Sequence, residues 1–173
     1  MDFHFEMWKY AKDIKTISHD PLIGHRHAPN REAILMGVHF QTNSMGLRGS
    51  ELSYERTPGV KRIVLLGDSL TVGWGVPIEQ TFSWRIGEMY RDQGLPIEVV
   101  NTGVGNWNTI QEVQYFFTEA YKYRPDVVVL NFFANDAEPI SPERTPSWFT
   151  RNCYSCVFLT GRSDTLLRQL FGK

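Results

Sequence analysis

Ser69 is the residue of this sequence best placed to act as a nucleophile. It follows the aliphatic run 62–66, which is typical of a strand buried on both faces of a parallel sheet, and it is flanked by Gly67 and Asp68. We expect its hydroxyl to emerge at the end of that strand, near the start of the next helical segment. Since a serine hydroxyl is a weak nucleophile, it needs a base to take its proton and donors to hold the oxyanion.

The donors are expected in two other loops, each of which follows a predicted strand. The loop NTGVGNWNT offers the backbone N–H of Gly105 or Asn106, and the loop FFANDAEP offers the side chain of Asn135. The backbone N–H of Ser69 would be a third donor. Glycine, asparagine and aspartate also dominate ordinary turns, which is the alternative interpretation of any single loop. Three such loops at three strand ends favour a functional site.

The elements that must position these loops follow from the apolar spacing. Strands are predicted at residues 62–66, 97–100 and 126–133. Two amphipathic helices are predicted between them. The first, residues 80–92, would present Phe82, Ile86, Met89 and Tyr90 on one face, and the second, which Pro125 stops, would present Val113, Phe116, Phe117, Ala120 and Tyr121. This alternation predicts right-handed crossovers, a parallel sheet with helices on both faces, and therefore an α/β fold.

The chain changes character near residue 58. Residues 1–58 hold all five histidines and form a predicted N-terminal segment with one half-buried strand, residues 34–42, paired at a sheet edge. Pro58 and Gly59 open the more regular part, residues 59–173, which is predicted to be the α/β domain.

The residues of the three loops carry a family resemblance. GDSL at 67–70, preceded by IVLL, resembles the first block of the GDSL or SGNH hydrolase superfamily, and NTGVGN and AND resemble its second and third blocks. The resemblance runs over residues 61–139. It implies a flavodoxin-like three-layer α/β/α sandwich and hydrolysis of acyl or acetyl esters through an acyl-enzyme. By position, Ser69 would be the nucleophile and Asn135 the side-chain donor of the oxyanion hole.

The sequence departs from this family in three places. Asn106 stands where the second block usually has its glycine, with Gly105 just before it, so that either residue could supply the backbone donor. Phe133 stands where the third block favours a glycine, and is expected to narrow the mouth of the site. The final Asp-x-x-His block, which supplies the base, is missing, and no histidine follows His39.

These departures leave several interpretations open. We expect residues 1–173 to be the C-terminally incomplete part of a longer ester hydrolase that acts on a carbohydrate or lipid ester. Transfer of the acyl group to a carbohydrate hydroxyl is one alternative. An inactive binding remnant is another, in which Trp74, Trp107 and Trp148 would line a ligand site, although core or rim packing is the expectation for each. Asp68 and Asp136 border the predicted site, but neither is a persuasive base.

Other classes of partner are disfavoured by composition. The net charge of −1 gives no electrostatic excess for nucleic acid, and the longest apolar runs are far shorter than the roughly 20 residues of a membrane span. The N-terminus carries no evident signal, so the chain as written is expected to be cytoplasmic, whereas an upstream segment would allow an extracytoplasmic or anchored location. The chemistry needs no cofactor. The expected partner is a small-molecule, carbohydrate or lipid ester, and no oligomeric state is indicated.

The histidines and cysteines are expected to be incidental. His25 and His27, near His19, resemble a partial metal-ligand set, but surface or turn positions are the expectation and no metal is predicted. Cys153 and Cys156 form a CxxC pair without a second pair to complete a zinc site, and we expect both to be reduced thiols.

Overall fold

The computed structural model describes residues 3–134 and 147–159. In chain order its elements are α1 (Phe3–Asp13), β1 (Lys15–Ile17), β2 (His25–His27), β3 (Glu32–Leu35), β4 (Val38–Gln41), β5 (Lys61–Leu66), α2 (Ser69–Val72), α3 (Phe82–Asp92), β6 (Ile97–Asn101), α4 (Thr109–Thr118), β7 (Val127–Leu130) and α5 (Trp148–Asn152). Two 3-10 helices, Ile78–Gln80 and Ala120–Tyr123, precede α3 and follow α4. The predictions for Asn135 and Asp136 lie outside the described residues.

A parallel sheet of three strands in the order β6-β5-β7 forms the centre of the fold. β5 pairs with β6 from Lys61↔Ile97 to Leu65↔Asn101, and with β7 from Ile63↔Val127 to Leu66↔Leu130. The three predicted core strands and the α/β class are therefore confirmed. The third strand is shorter than predicted, because the chain leaves the sheet after Leu130.

The strands of the sheet differ in how far they are buried. Val64, Leu65 and Leu66 of the central strand are buried, as predicted. All four residues of β7, in contrast, are 38–50% exposed. β6, the other edge strand of the described sheet, buries Val100 and Asn101, so this exposure is particular to β7.

The helices lie where the periodicity places them, but they bury different faces. Phe82 and Met89, predicted to face the core from α3, are exposed. The helix instead approaches β6 through small residues: Ser83 Oγ accepts a hydrogen bond of 2.9 Å from the Asn101 side chain, and a Cβ at Gly87 would lie 3.9 Å from Val99. Small residues thus bring α3 close to the sheet, while Ile86 and Tyr90 of the predicted face are half-buried.

The second predicted helix is divided into α4 and a 3-10 helix. Asn108 caps α4 in a reciprocal capping box with Gln111, which the apolar spacing did not reveal. Tyr115 and Ala120 are buried, whereas Phe117 of the predicted core face is 67% exposed. The predicted face of this helix is therefore only partly correct.

The single strand predicted at residues 34–42 is wrong. β3 and β4 form an antiparallel hairpin that pairs with itself and not with the parallel sheet. Met36 and Gly37 form its two-residue turn, with φ of 52° and 77°. Two consecutive positive φ values match the twist of a tight hairpin, so the chain reverses where continuous alternation suggested one strand.

Two apolar clusters hold the described part together. The first surrounds the sheet and includes Val64, Val100 and Trp107. The second joins Tyr10 of α1 and Phe40 of β4 to Val72, at the end of the helix that follows Ser69. Segments from both sides of residue 58 contribute to these clusters, and the predicted domain boundary there stays a prediction. No helix in the described ranges has the length and apolar character needed to cross a membrane.

Cys153 and Cys156 form a disulfide, so the expectation of two reduced thiols is wrong. The pair spans the end of α5 and the short helical stretch that follows it. Their Cα atoms lie 5.3 Å apart, within the range that a disulfide can bridge without backbone movement.

Arg62 is a buried charge in the central strand, at the start of the run 62–66 that was predicted to be an aliphatic strand. Its Nε donates to Glu98 at 2.6 Å, and its terminal nitrogens donate to the carbonyls of Tyr54, Glu55 and Tyr123 at 3.0–3.1 Å. The Arg62 guanidinium thus links β6, the loop at residues 54–55 and the 3-10 helix Ala120–Tyr123 at the amino end of the sheet.

The Arg62→Met substitution should destabilise the chain by about 3 kcal/mol, because it leaves buried carbonyls without donors and removes the partner of Glu98. Lys61→Met is the matched control: Lys61 is the adjacent cation, is largely exposed and pairs with Asp126 at 3.0 Å, so its loss should cost less than about 1 kcal/mol. Urea unfolding of both variants measures the difference. Equal midpoints for the two variants would contradict the role given to Arg62.

Candidate functional site

Ser69 lies at the carboxyl end of the central strand, as the first residue of α2. Its side chain is half-buried, and its hydroxyl lies 3.4 Å from Asp68 Oδ2. The other carboxylate oxygen of Asp68 accepts the Leu70 N–H at 2.9 Å and so caps the helix. Asp68 is fully engaged in shaping this turn, which fixes where the Ser69 hydroxyl stands.

The three strand ends meet through backbone hydrogen bonds to β5 and the residue that follows it. Thr102 N–H donates to Leu65 O at 3.0 Å, and Val104 N–H donates to Gly67 O at 3.1 Å. From the third strand end, Asn131 N–H donates to Leu66 O at 3.0 Å. The described parts of the three loops therefore converge, as the strand order requires of parallel strands.

No side chain separates the first loop from the second. A Cβ at Gly103 would lie 2.5 Å from the backbone nitrogen of Val72, and a Cβ at Gly67 would lie 1.9 Å from Thr71 Oγ1. Both distances are below any normal contact, so only glycine fits at these two positions. The residues after Gly103 are thereby brought next to the helix that Ser69 begins.

The structure distinguishes the two backbone donors that the sequence left open. Gly105 N–H donates to the Tyr10 hydroxyl at 3.0 Å. Asn106 is exposed and has a positive φ of 69°, and its backbone N–H meets no acceptor among residues 3–134 and 147–159. Within the same ranges the backbone N–H of Ser69 also meets none. Of these two residues, Asn106 is the one whose backbone N–H is still available as a donor in the described ranges.

Tyr10 and His27 form a buried chain of hydrogen bonds behind this loop. The Tyr10 hydroxyl lies 2.5 Å from His27 Nε2, and His27 also bonds to the backbone of Gly46. Burial and the nearby Lys15 charge lower the pKa of His27 to about 3, and burial raises the pKa of Tyr10. The Tyr10 oxygen accepts the Gly105 N–H, and in the neutral tautomer with its proton on Nδ1 the His27 ring accepts the Tyr10 proton at Nε2.

Lys15 contacts the same loop from β1. Its Nζ donates to Gly105 O at 2.6 Å and to Asn106 Oδ1 at 3.3 Å, and it lies 4.7 Å from the centre of the Tyr10 ring. His25 Nε2 is 3.0 Å from Lys15 Nζ and 3.1 Å from Gly105 O. The contacts that Tyr10, Lys15 and His25 make with the second loop join residues 80 to 95 positions apart. No local pattern signals them: the sequence analysis did not single out Tyr10 or Lys15, and it named His25 and His27 without placing them beside this loop.

No histidine of the described part forms a hydrogen bond with the Ser69 hydroxyl. His25 and His27 are buried beside the second loop, so the expectation of surface or turn positions is wrong for both. His39 lies on the hairpin, 3.4 Å from Glu32. In the described ranges, the hydrogen bonding of the Ser69 hydroxyl reaches Asp68 and no histidine. No group of three or more metal-ligating side chains occurs in those ranges either.

The tryptophans do not share a cleft. Trp107 is 1% exposed and belongs to the core, where its indole N–H donates to His25 O at 2.7 Å. Trp74 packs half-buried against Tyr10, with ring centres 4.8 Å apart. Core packing is confirmed for Trp107, and the hypothesis of a stacking platform shared by Trp74 and Trp107 is wrong.

Comparison with known proteins points to one family. Residues 65–170 match the GDSL-like lipase/acylhydrolase family. Two solved structures, of the SGNH-hydrolase family esterase AlinE4 and of a point mutant of that esterase, are similar to this chain at 22% identity with a TM-score of 0.40. Each match covers 47% of this chain and 44% of the esterase, so the chain spans less than half of the length of these structures. No curated protein matches the sequence.

The buried neutral His27 should make stability depend on pH. Its pKa is about 3 in the folded chain, whereas an unfolded histidine titrates near 6.5, so the unfolded state binds the extra proton between these values. Stability from this group is complete above about pH 6.5 and declines as the pH falls towards 3, by up to about 1.4 kcal/mol per pH unit.

Urea unfolding across this pH interval, for wild type and His27→Gln, measures the effect. The variant should lose this part of the pH slope, whatever its stability at neutral pH. His19→Gln, a substitution at an exposed histidine, should keep the wild-type slope. A slope that His27→Gln leaves unchanged would show that His27 titrates alike in both states.

Proposed function

We propose that this chain, which belongs to the GDSL-like lipase/acylhydrolase family, cleaves carboxylic esters through Ser69. One observation carries the proposal. Ser69 and Asn106 lie on two loops that are hydrogen-bonded to each other at the end of the central strand, and each keeps a backbone N–H without an acceptor in the described ranges. A nucleophile beside unsatisfied N–H groups is the arrangement that acyl transfer requires.

The reaction would begin with attack of Ser69 Oγ on the ester carbonyl carbon. The carbonyl oxygen would take up the negative charge and accept hydrogen bonds from the N–H groups of Ser69 and Asn106, with the Asn135 side chain as a third donor. Collapse of this intermediate releases the alcohol and leaves an acyl-enzyme on Ser69, which water then hydrolyses. The substrate class we propose is an acyl or acetyl ester of a carbohydrate or lipid.

Asn106 takes the role of backbone donor in this proposal, and Gly105 does not. The Gly105 N–H is occupied by the Tyr10 hydroxyl, which is itself held by the buried His27. Moving Gly105 N–H onto a substrate would leave a buried tyrosine oxygen with an unmet hydrogen bond, at a cost of about 1–3 kcal/mol. The Asn106 N–H carries no such cost.

The proton of Ser69 needs an acceptor other than the described histidines. Asp68 Oδ2 lies 3.4 Å from the Ser69 hydroxyl, but this carboxylate also caps α2 through the Leu70 N–H. We assign Asp68 to shaping the turn, and we propose that the general base is not one of the described residues. Ser69, Asn106 and Asn135 are therefore the residues of this chain on which the proposal depends.

Replacing Ser69 with alanine should abolish ester hydrolysis by the full chain. Turnover of p-nitrophenyl acetate should fall to the uncatalysed rate, and a fluorophosphonate probe should no longer label the protein. Ser50→Ala, at an exposed serine, is the matched control and should behave as wild type. Turnover or labelling that persists in the Ser69→Ala variant, or is absent from wild type, would refute the proposal.

Replacing Asn135 with alanine should lower kcat by about a hundredfold to a thousandfold with little change in KM, because the lost donor acts on the oxyanion more than on the bound ester. Asn152→Ala, at an exposed asparagine of α5, should leave both constants unchanged. Steady-state kinetics on the same ester provides the comparison. An unaltered kcat in Asn135→Ala would remove this residue from the oxyanion hole.

A further inference from the structure

The carbonyl of Gly105 and the N–H of Asn106 belong to one peptide group. Resonance across that group couples its two ends, so a positive charge placed on the oxygen draws electron density from the nitrogen. Lys15 Nζ lies 2.6 Å from this oxygen, the distance of a strong charge-assisted hydrogen bond. The N–H at the other end of the same peptide is the one that meets no acceptor in the described ranges.

Hydrogen bonds in a chain strengthen one another, and the effect is larger where water is scarce. Gly105 is buried, whereas Asn106 is exposed. The carbonyl that Lys15 contacts thus belongs to a buried residue, and the N–H at the other end of the peptide belongs to an exposed one. This arrangement makes Asn106 N–H a stronger donor than an ordinary backbone amide.

The position of Lys15 is set by its surroundings. It begins β1 and pairs in register with His27 of β2, which fixes its backbone. Besides Gly105 O, its Nζ has Asn106 Oδ1 as an acceptor at 3.3 Å and lies 3.0 Å from His25 Nε2. The contact with Asn106 Oδ1 also supports the left-handed conformation of that residue.

We infer that Lys15 is a positioning residue that polarises the Gly105–Asn106 peptide and so strengthens the Asn106 N–H as a donor to the oxyanion. This inference rests on the proposed function for its catalytic part. The polarisation itself does not depend on turnover. The two parts can therefore be measured separately on the same full-length chain.

The first measurement is the backbone amide proton shift of residues 105 and 106 in ¹⁵N-labelled protein. In Lys15→Met, which keeps an unbranched side chain of similar length without the charge, the Asn106 proton should move upfield. The Gly105 proton should stay in place, because that N–H belongs to the preceding peptide and bonds to Tyr10. Lys12→Met removes a nearby charge at the end of α1 and should move neither signal.

The second measurement is steady-state ester hydrolysis by the same variants. Weakening one donor should cost less than removing it, so we expect Lys15→Met to lower kcat about tenfold with KM unchanged. Lys15→Arg keeps a charged donor to the carbonyl and should recover most of that loss. If Lys15→Met does not fold, Lys15→Gln against Lys15→Arg makes the same comparison of a neutral with a charged donor.

The outcomes separate the inference from the proposed function. An upfield shift confined to Asn106, with the expected fall in kcat, supports both. The same shift in a chain that has no Ser69-dependent turnover would uphold the polarised peptide and overturn its catalytic part together with the proposed function. Shifts of equal size at Gly105 and Asn106 would show that Lys15 merely holds the loop. An unchanged kcat beside intact Ser69-dependent turnover would overturn the inference.

Discussion

The contact between backbones at Gly67 and Gly103 is the constraint on which the rest of the site depends. A Cβ at Gly103 would overlap Val72 and Thr71, so the second loop can approach the first only because Gly103 lacks one. A Cβ at Gly67 would overlap Thr71 of the same loop, so Gly67 allows the first loop to fold closely onto itself. The approach of the second loop allows Val104 N–H to reach Gly67 O at 3.1 Å. Ser69 is two residues from one side of this contact and Asn106 is three residues from the other. Their relative placement is thus set by main-chain geometry rather than by adjustable side chains.

The second loop is held by the N-terminal segment as well as by the parallel sheet. The sheet holds the second loop only from the strand side, through Thr102 and Val104. Tyr10 and Lys15 hold the outer side, one at the Gly105 N–H and the other at its carbonyl. Both backbone groups of Gly105 are satisfied by these side chains. Because the C=O and N–H of a trans peptide point in opposite directions, the Asn106 N–H of the peptide whose carbonyl Lys15 holds points away from that carbonyl. The N-terminal segment, the least regular part of the sequence, therefore determines that Asn106 rather than Gly105 keeps a backbone N–H available for a hydrogen bond.

Local sequence patterns predicted most helices and strands of the α/β part, but they did not predict which faces of the helices are buried or which distant segments contact the loops. The strands β5 to β7 follow from short β-branched runs, and the site loops follow from strand ends, because both depend on neighbouring residues. The faces of α3 depend on how closely Ser83 and Gly87 let the helix approach β6, which apolar periodicity does not encode. The hairpin turn at Met36 was hidden because a two-residue turn interrupts no apolar alternation. Contacts across 90 positions, such as Lys15 to Gly105, have no local signature at all.

The oxyanion donors and the general base of an acyl-transfer site are physically separable parts. Oxyanion donors act on charge that develops on the substrate, whereas a base acts on the nucleophile before attack. Where the nucleophile–base set of a serine hydrolase is disabled, the oxyanion hole and binding alone still retain roughly a thousandfold to ten-thousandfold acceleration over water. In the proposed site the described residues would supply the donors, with Lys15 bonded to the Gly105 carbonyl behind Asn106 and Asp68 capping the turn at Ser69. The loops that carry Ser69 and Asn106 are held by main-chain contacts and by N-terminal side chains. Their geometry therefore does not depend on the general base.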